Sequence, residues 1–168
     1  MTLPVPTDAD LMALAEQVAA AAQQRRLMLV TAESCTGGWI AKALTDLPGS
    51  SAWFDAGVVT YSYGAKEALL GVNPSTLERT GAVSEETALE MVSGALARFG
   101  AGMAVAVTGI AGPSGGTPEK PVGTVWISWK RRGGYAHATL FQFEGDREAV
   151  RRQTEAAALN GVIKALTN

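Results

Sequence analysis

The 168-residue sequence predicts an α/β layered fold built on a mixed sheet. Two observations carry that expectation. Short apolar runs of strand length alternate along the chain with segments of helical period, the pattern of helices packed on a sheet. The last two runs, "GTVWISWK" and "YAHATLFQF", are separated by only Arg131 to Gly134. Four residues cannot make a parallel crossover, so these two strands form a hairpin and the sheet is not purely parallel.

The elements follow in order. Thr7 and Asp8 stand where a cap belongs, and Leu11, Leu14, Ala15 and Val18 recur on one helical face, so a first helix is expected to run to about Arg26. Residues 27–32 read as a buried strand. Residues 38–46 read as a short helix stopped by "LPG" at 47–49. Residues 56–62 are a second strand, followed by two short helices, near Lys66 and over residues 74–79. Ser84 is an N-cap for a helix to about Phe99. Thr87 stands where a full capping box has Glu or Gln, but Glu85 and Glu86 suit a helix start. "MAVAVTG" is a wholly apolar third strand, the hairpin follows, and Asp146 opens a last helix to about Leu166.

Composition narrows the function. The length suits one domain, spanning residues 1–168, with a proper core. A net charge of -2 gives no basic footprint, so no nucleic-acid partner is expected. Every apolar stretch is interrupted by charges or Gly, so no membrane span is expected either. "MTLPVPTDADLM" lacks the pattern of a signal peptide, and one cysteine makes no internal disulfide; a cytoplasmic protein is expected. Trp39, Trp53, Trp126 and Trp129 suit a core or an interface between copies, which leaves a homo-oligomer open.

Two loops share a grammar of apolar strand, hydroxyl residue, then glycines: "VTAESCTGG" and "VAVTGIAGPSGG". In open α/β sheets ligands bind beyond the carboxyl ends of strands, where both loops fall, as does Tyr61. The first loop brings together three candidate nucleophiles, Ser34, Cys35 and Thr36, ahead of Gly37 and Gly38. In one reading Ser34 attacks and the following backbone N–H groups bind an oxyanion or phosphate. In the other, Thr36 is an N-cap and the glycines only sharpen a turn. The loop is neither a Walker loop nor a G-x-S-x-G elbow.

A serine nucleophile needs a base. The single histidine, His137, lies in an alternating strand away from either loop and reads as a half-exposed sheet residue. Cys35 then lacks its usual partner as well and reads as a small buried residue. Lysine serves only if held neutral. Lys42 lies two helical turns past Ser34, Lys120 in a mobile Gly/Pro loop, and Lys130 and Lys164 at solvated element ends. Lys66, five residues after Tyr61, is either solvated or turned into the crevice.

The second loop, residues 108–123, is long enough to be a binding loop or a disordered surface segment, with Thr108 at its root. Arg147 and Arg151 are four apart and share a helical face. Such a pair suits a phosphate or carboxylate, or else pairs on the surface with Glu144, Glu148 or Glu155. No Cys/His cluster or Asp/Glu cage has metal-ligand spacing.

Five segments in order, "TAESCTGG", "GVVTYS" with "AK" following, "GAVSEET", "VTGIAGPSGGTPEKPVGTVW" and "GDREAVRRQ", resemble the C-terminal domain of the competence/damage-inducible protein CinA. They resemble above all its stand-alone bacterial branch of nicotinamide-nucleotide amidohydrolases, over about Leu11 to Ile163. The resemblance implies a three-layer α/β/α fold with a mixed, mostly parallel central sheet. It implies hydrolysis of the carboxamide of nicotinamide mononucleotide to nicotinic acid mononucleotide and ammonia, with no metal and no cofactor. Carried across, Ser34 is the nucleophile and Lys66 its general base, with Tyr61 and Thr108 completing a hydroxyl network. The implied substrate-binding set is Cys35, Thr36, Gly37 and Gly38 in the first loop, Gly109 and Gly112 in the second, and Arg147 ahead of Arg151 for the phosphate. Tyr63 and Gly64 depart from the family pattern, which often has Asn and an acidic or small residue there. Tyr63 either stacks on a pyridine ring or faces solvent. The rival classes are an amidase for another small carboxamide and a non-catalytic nucleotide-binding module linked to competence or DNA damage response.

Overall fold

In the computed structural model, which describes residues 4–168, the alternation is realised as five strands and six α-helices. They are α1 (Asp8–Arg25), β1 (Leu29–Glu33), α2 (Trp39–Thr45), β2 (Phe54–Val59), α3 (Tyr63–Leu70), α4 (Pro74–Thr80), α5 (Glu85–Phe99), β3 (Met103–Gly109), β4 (Thr124–Arg131), β5 (His137–Gln142) and α6 (Arg147–Thr167). The sheet order is β2-β1-β3-β4-β5. β1 pairs in parallel with β2 and β3, β3 with β4 and β4 with β5 antiparallel, so four of the five strands point the same way. The chain leaves β1 for β2 on one side and returns past it to β3 on the other. With crossovers of one hand, the connecting helices fall on opposite faces.

The result is three layers. α1, α2 and α6 cover one face, and α3, α4 and α5 the other. The period-two rule sorts β3 between them: Met103, Val105 and Val107 join the α1/α2/α6 core, while Ala104 and Ala106 join the α5 core. Small side chains on that second face let α5 lie close to the sheet.

Several boundaries shift for local reasons. Thr7 caps α1 in a reciprocal box with Asp10. Arg26 then adopts a left-handed conformation and the Leu27 N–H bonds back to Ala22, so Leu27 closes α1 and the strand starts at Leu29. β2 begins at Phe54 and ends at Val59, because Ser62 leaves the sheet to cap α3 through the Ala65 N–H. The fifth strand is shorter than expected at both ends, Tyr135 and Ala136 remaining in the turn.

The packing of α3 on α5 is unusually close at Gly94. A Cβ there would lie 1.8 Å from the Leu70 carbonyl oxygen, at the end of α3. Gly94 therefore sets how deeply α3 sits, and with it the depth of every side chain α3 carries inward.

Gly94→Ala is expected to destabilise the fold by about 1–3 kcal/mol through overpacking. Urea unfolding of the variant measures this, and unchanged stability would contradict the close approach of α3 to α5.

Candidate active site

The carboxyl ends of β1, β2 and β3 meet at one crevice, as the topology requires. Ser34 follows β1 directly, and its N–H continues the ladder by donating to Val107 O. Gly37 and Gly38, at φ 60° and 98°, then reverse the chain into α2, conformations that side chains resist. The backbone N–H of Thr36 meets no acceptor among the described residues and that of Cys35 meets only its own sulfur, so the turn keeps donors beside the Ser34 hydroxyl.

Lys66 lies in the first turn of α3 and is 1% exposed. Its ammonium donates to Ser34 Oγ at 3.0 Å and to the Thr60 carbonyl at 2.7 Å. Between the two readings of Lys66, the structure takes the crevice one. No carboxylate pairs with it among the described residues. Burial pulls its pKa down to about 8, opposed only by the neighbouring Cys35 thiol. The positive end of α3 acts in the same direction as burial.

The neighbouring thiol is of a different kind. Burial, followed by the Glu33 carboxylate, pushes Cys35 up to about 12, so it carries almost no thiolate near neutrality. His137 lies on the edge strand, stacked on Trp129 at 5.4 Å, as its alternating pattern suggested.

Thr108 is buried and donates to the Ala82 carbonyl at 2.8 Å, pinning the turn before Ser84 to β3. Tyr61 is 60% exposed at the crevice mouth, and its hydroxyl accepts from Arg147 at 2.9 Å. Neither Thr108 nor Tyr61 hydrogen-bonds to Ser34 or Lys66.

The two arginines of α6 divide between the two loops. Exposed Arg147 also donates to Gly112 O of the second loop at 2.7 Å, while Arg151 donates to Thr36 O of the first at 3.0 Å and lies 3.9 Å over Trp39. The surface pairing considered for these arginines falls instead to Arg152, which pairs with Asp8 and Glu148. Glu155, read as a surface partner, is buried. Gly109 and buried Gly112 bracket the root of the second loop. Lys120, expected in a mobile loop, is anchored: its ammonium donates to Thr80 O at 2.9 Å. Among the described residues no group of three His, Cys, Asp or Glu is placed to hold a metal ion. Among the described residues no helix is long and apolar enough to cross a membrane.

Residues 11–166 match the model of the CinA C-terminal domain. The chain belongs to the CinA C-terminal domain family. It is 53% identical over 153 residues to the nicotinamide-nucleotide amidohydrolase PncC of Escherichia coli K12, covering 91% of this chain and 93% of that protein. It is 57% identical over 136 residues to the PncC of Pseudomonas putida, covering 81% and 84%. The crystal structure of the competence/damage inducible protein CihA from Agrobacterium tumefaciens superposes with a TM-score of 0.92 at 47% identity, covering both chains completely.

Within this CinA C-terminal domain, Tyr63 and Gly64 open α3. Half-exposed Tyr63 accepts from the Ala82 N–H at 3.3 Å, so the departure braces the segment beside Lys66. One residue escaped the reading of the CinA-like segments. Thr36 does not cap α2; the N-cap is Gly38, which offers no side chain. Glu33, 1% exposed, takes over from five residues before: it accepts from Thr36 Oγ1 at 2.6 Å and from the N–H groups of Ile40 and Ala41 at 2.9 and 3.0 Å. A carboxylate at a helix N-terminus is favoured by both hydrogen bonding and the dipole. The available signal was an acidic residue closing an apolar strand.

Glu33→Ala is expected to cost about 2 kcal/mol, the upper range for a lost helix cap, because three donors lose their acceptor together. Thermal or urea unfolding measures it. Stability within a few tenths of wild type would show that the carboxylate does not hold the loop.

Proposed function

We propose that this chain hydrolyses the carboxamide of nicotinamide mononucleotide, giving nicotinic acid mononucleotide and ammonia, by a serine–lysine mechanism. The observation that carries the reading is Lys66 Nζ, buried without a carboxylate, 3.0 Å from Ser34 Oγ. The PncC relatives are nicotinamide-nucleotide amidohydrolases, and this supports the choice of substrate.

In the proposed reaction neutral Lys66 takes the proton of Ser34 as Oγ attacks the carboxamide carbon. The N–H groups of Cys35 and Thr36 stabilise the oxyanion, a contact worth about 3–4 kcal/mol per donor in a well-aligned site. Protonated Lys66 gives its proton to the departing nitrogen, which leaves as ammonia. Water then attacks the acyl group, Lys66 takes its proton, and Ser34 leaves with that proton restored. The backbone of Gly37, Gly38, Gly109 and Gly112 shapes the pocket around the substrate. Tyr61 orients Arg147, which faces solvent and receives the phosphate, while Arg151 holds the loop carbonyl of Thr36. Thr108 positions the Ala82 segment against the crevice.

The reading requires a base that works only when neutral. Since the Lys66 pKa lies near 8, the protonated fraction grows below that pH, and kcat/KM is expected to fall about tenfold per unit as the medium is acidified. Ser34→Ala is expected to fold normally and release no ammonia from nicotinamide mononucleotide. Lys66→Arg, always protonated, is expected to lose about 10²–10⁴-fold in rate. An ammonia assay on the purified protein and both variants decides. Turnover by Ser34→Ala would remove the nucleophile, and turnover by neither wild type nor variants would favour a module that binds the nucleotide without converting it.

A further inference from the structure

The α1/α2/α6 face carries a second cleft, of about 380 Å³, which the proposed chemistry does not use. Its walls include Leu11, Met12, Trp39 and Ala43, an apolar lining of the kind that accepts a small organic body. Two ion pairs stand at its rim, Arg152 with Asp8 and Lys42 with Asp46. Glu155 lines the same cleft, is only 3% exposed, and makes no hydrogen bond or ion pair among the described residues. The Glu155 oxygens are not sealed off: they keep access to the cleft, and so can meet a ligand there.

The charges of the lining resolve which ligand would complete it. Asp8 and Asp46 are balanced by Arg152 and Lys42, each already engaged. Glu155 is the one lining carboxyl without an ion pair of its own. One added positive charge on an apolar body would satisfy both the carboxyl and the walls. We propose that this cleft is a binding site for a small organic monocation, a primary ammonium on an aromatic or aliphatic body, held by Glu155.

The site is separate from Ser34 and Lys66 but not isolated from them. Trp39 walls the cleft on one side and stacks with Arg151, whose guanidinium holds the Thr36 carbonyl. Burial, and then the Glu33 carboxylate behind it, raise Glu155 to about 8. The empty site is therefore mostly protonated at pH 7, and a bound ammonium would ionise Glu155 and expel a proton. The other charged groups facing Glu155 are Asp8 from α1, Lys42 from α2 and Arg152 from α6.

Titration calorimetry of the full chain with phenethylamine hydrochloride, in two buffers of different ionisation enthalpy at pH 7, tests the site. 2-Phenylethanol serves as the neutral control. The expected result is amine binding with nearly one proton released, no binding of the alcohol, and affinity rising about fivefold as pH goes from 7 to 8. Glu155→Gln, close in shape to the protonated acid, should abolish amine binding while keeping the unfolding midpoint. Met12→Trp, which fills the cleft, should abolish it too. Absence of amine binding to wild type overturns the proposal, as does equal affinity for the alcohol or undiminished affinity in Glu155→Gln. If Glu155→Gln does not fold, the proton release and pH series of the wild type decide by themselves.

Discussion

The structure turns on one placement: a lysine ammonium out of water, against a serine hydroxyl and a backbone carbonyl, with no carboxylate to pay for it. A lysine with a carboxylate partner would stay charged and be useless as a base. A lysine in solvent would stay charged as well. Burial with neutral acceptors brings the pKa down to about 8, which leaves a usable share of neutral amine near physiological pH. The Thr60 carbonyl and Ser34 Oγ are those acceptors, and both lie where β1 and β2 run out of sheet. Much of the α3/α5 layer serves this placement. Gly94 lets α3 sink, Ser62 starts it at the right residue, and Tyr63 braces its first turn against Ala82.

The opposite layer holds the other half of the site. Glu33 gathers Thr36 and the first amides of α2, which frees the intervening N–H groups from capping duty. α6 then straps both loops, Arg151 to the first and Arg147 to the second. Serine, lysine and arginine therefore come from three elements on two faces of one sheet, and the sheet is the rigid part that fixes their distances. Loops anchored in this way are positioned like scaffold, although they carry no regular structure.

Much of this was legible in the chain. Strand length, helical period and the four-residue hairpin connection each report a local constraint, so the layered fold and mixed sheet could be read directly. The Thr7 and Ser84 caps act within three residues and are local too, whereas Ser62, expected to close the second strand, caps α3 instead. The rest of what escaped is non-local. Glu33 caps a helix across a turn, Lys120 ties its loop to a carbonyl forty residues away, and Arg152, not its neighbours, takes the surface carboxylates. No short-range spacing encodes those choices. Spacing put Arg147 and Arg151 on one face, and only the packed loops decided what each would touch. Lys66 was the hardest case, since its five-residue distance from Tyr61 is the same whether it points outward or inward. The resemblance to a known family, and then the packing, settled it inward.

Charge balance links the crevice to the proposed substrate. Nicotinamide mononucleotide carries a cationic ring and an anionic phosphate. On the proposed reaction the ring lies beside Lys66, where its charge opposes protonation of the amine and favours the basic form. The same charge draws electrons from the carboxamide carbon and eases attack. The phosphate, drawn to Arg147 at the crevice mouth, offers the binding energy that keeps a cation next to a group which becomes cationic in turn. A carboxylate beside Lys66 would bind the ring better but hold the lysine charged, trading the base for affinity. On the proposed reaction, the absence of an acidic partner for Lys66 among the described residues keeps the lysine basic enough to deprotonate the serine, at a cost in affinity for the cationic ring that the phosphate contact offsets.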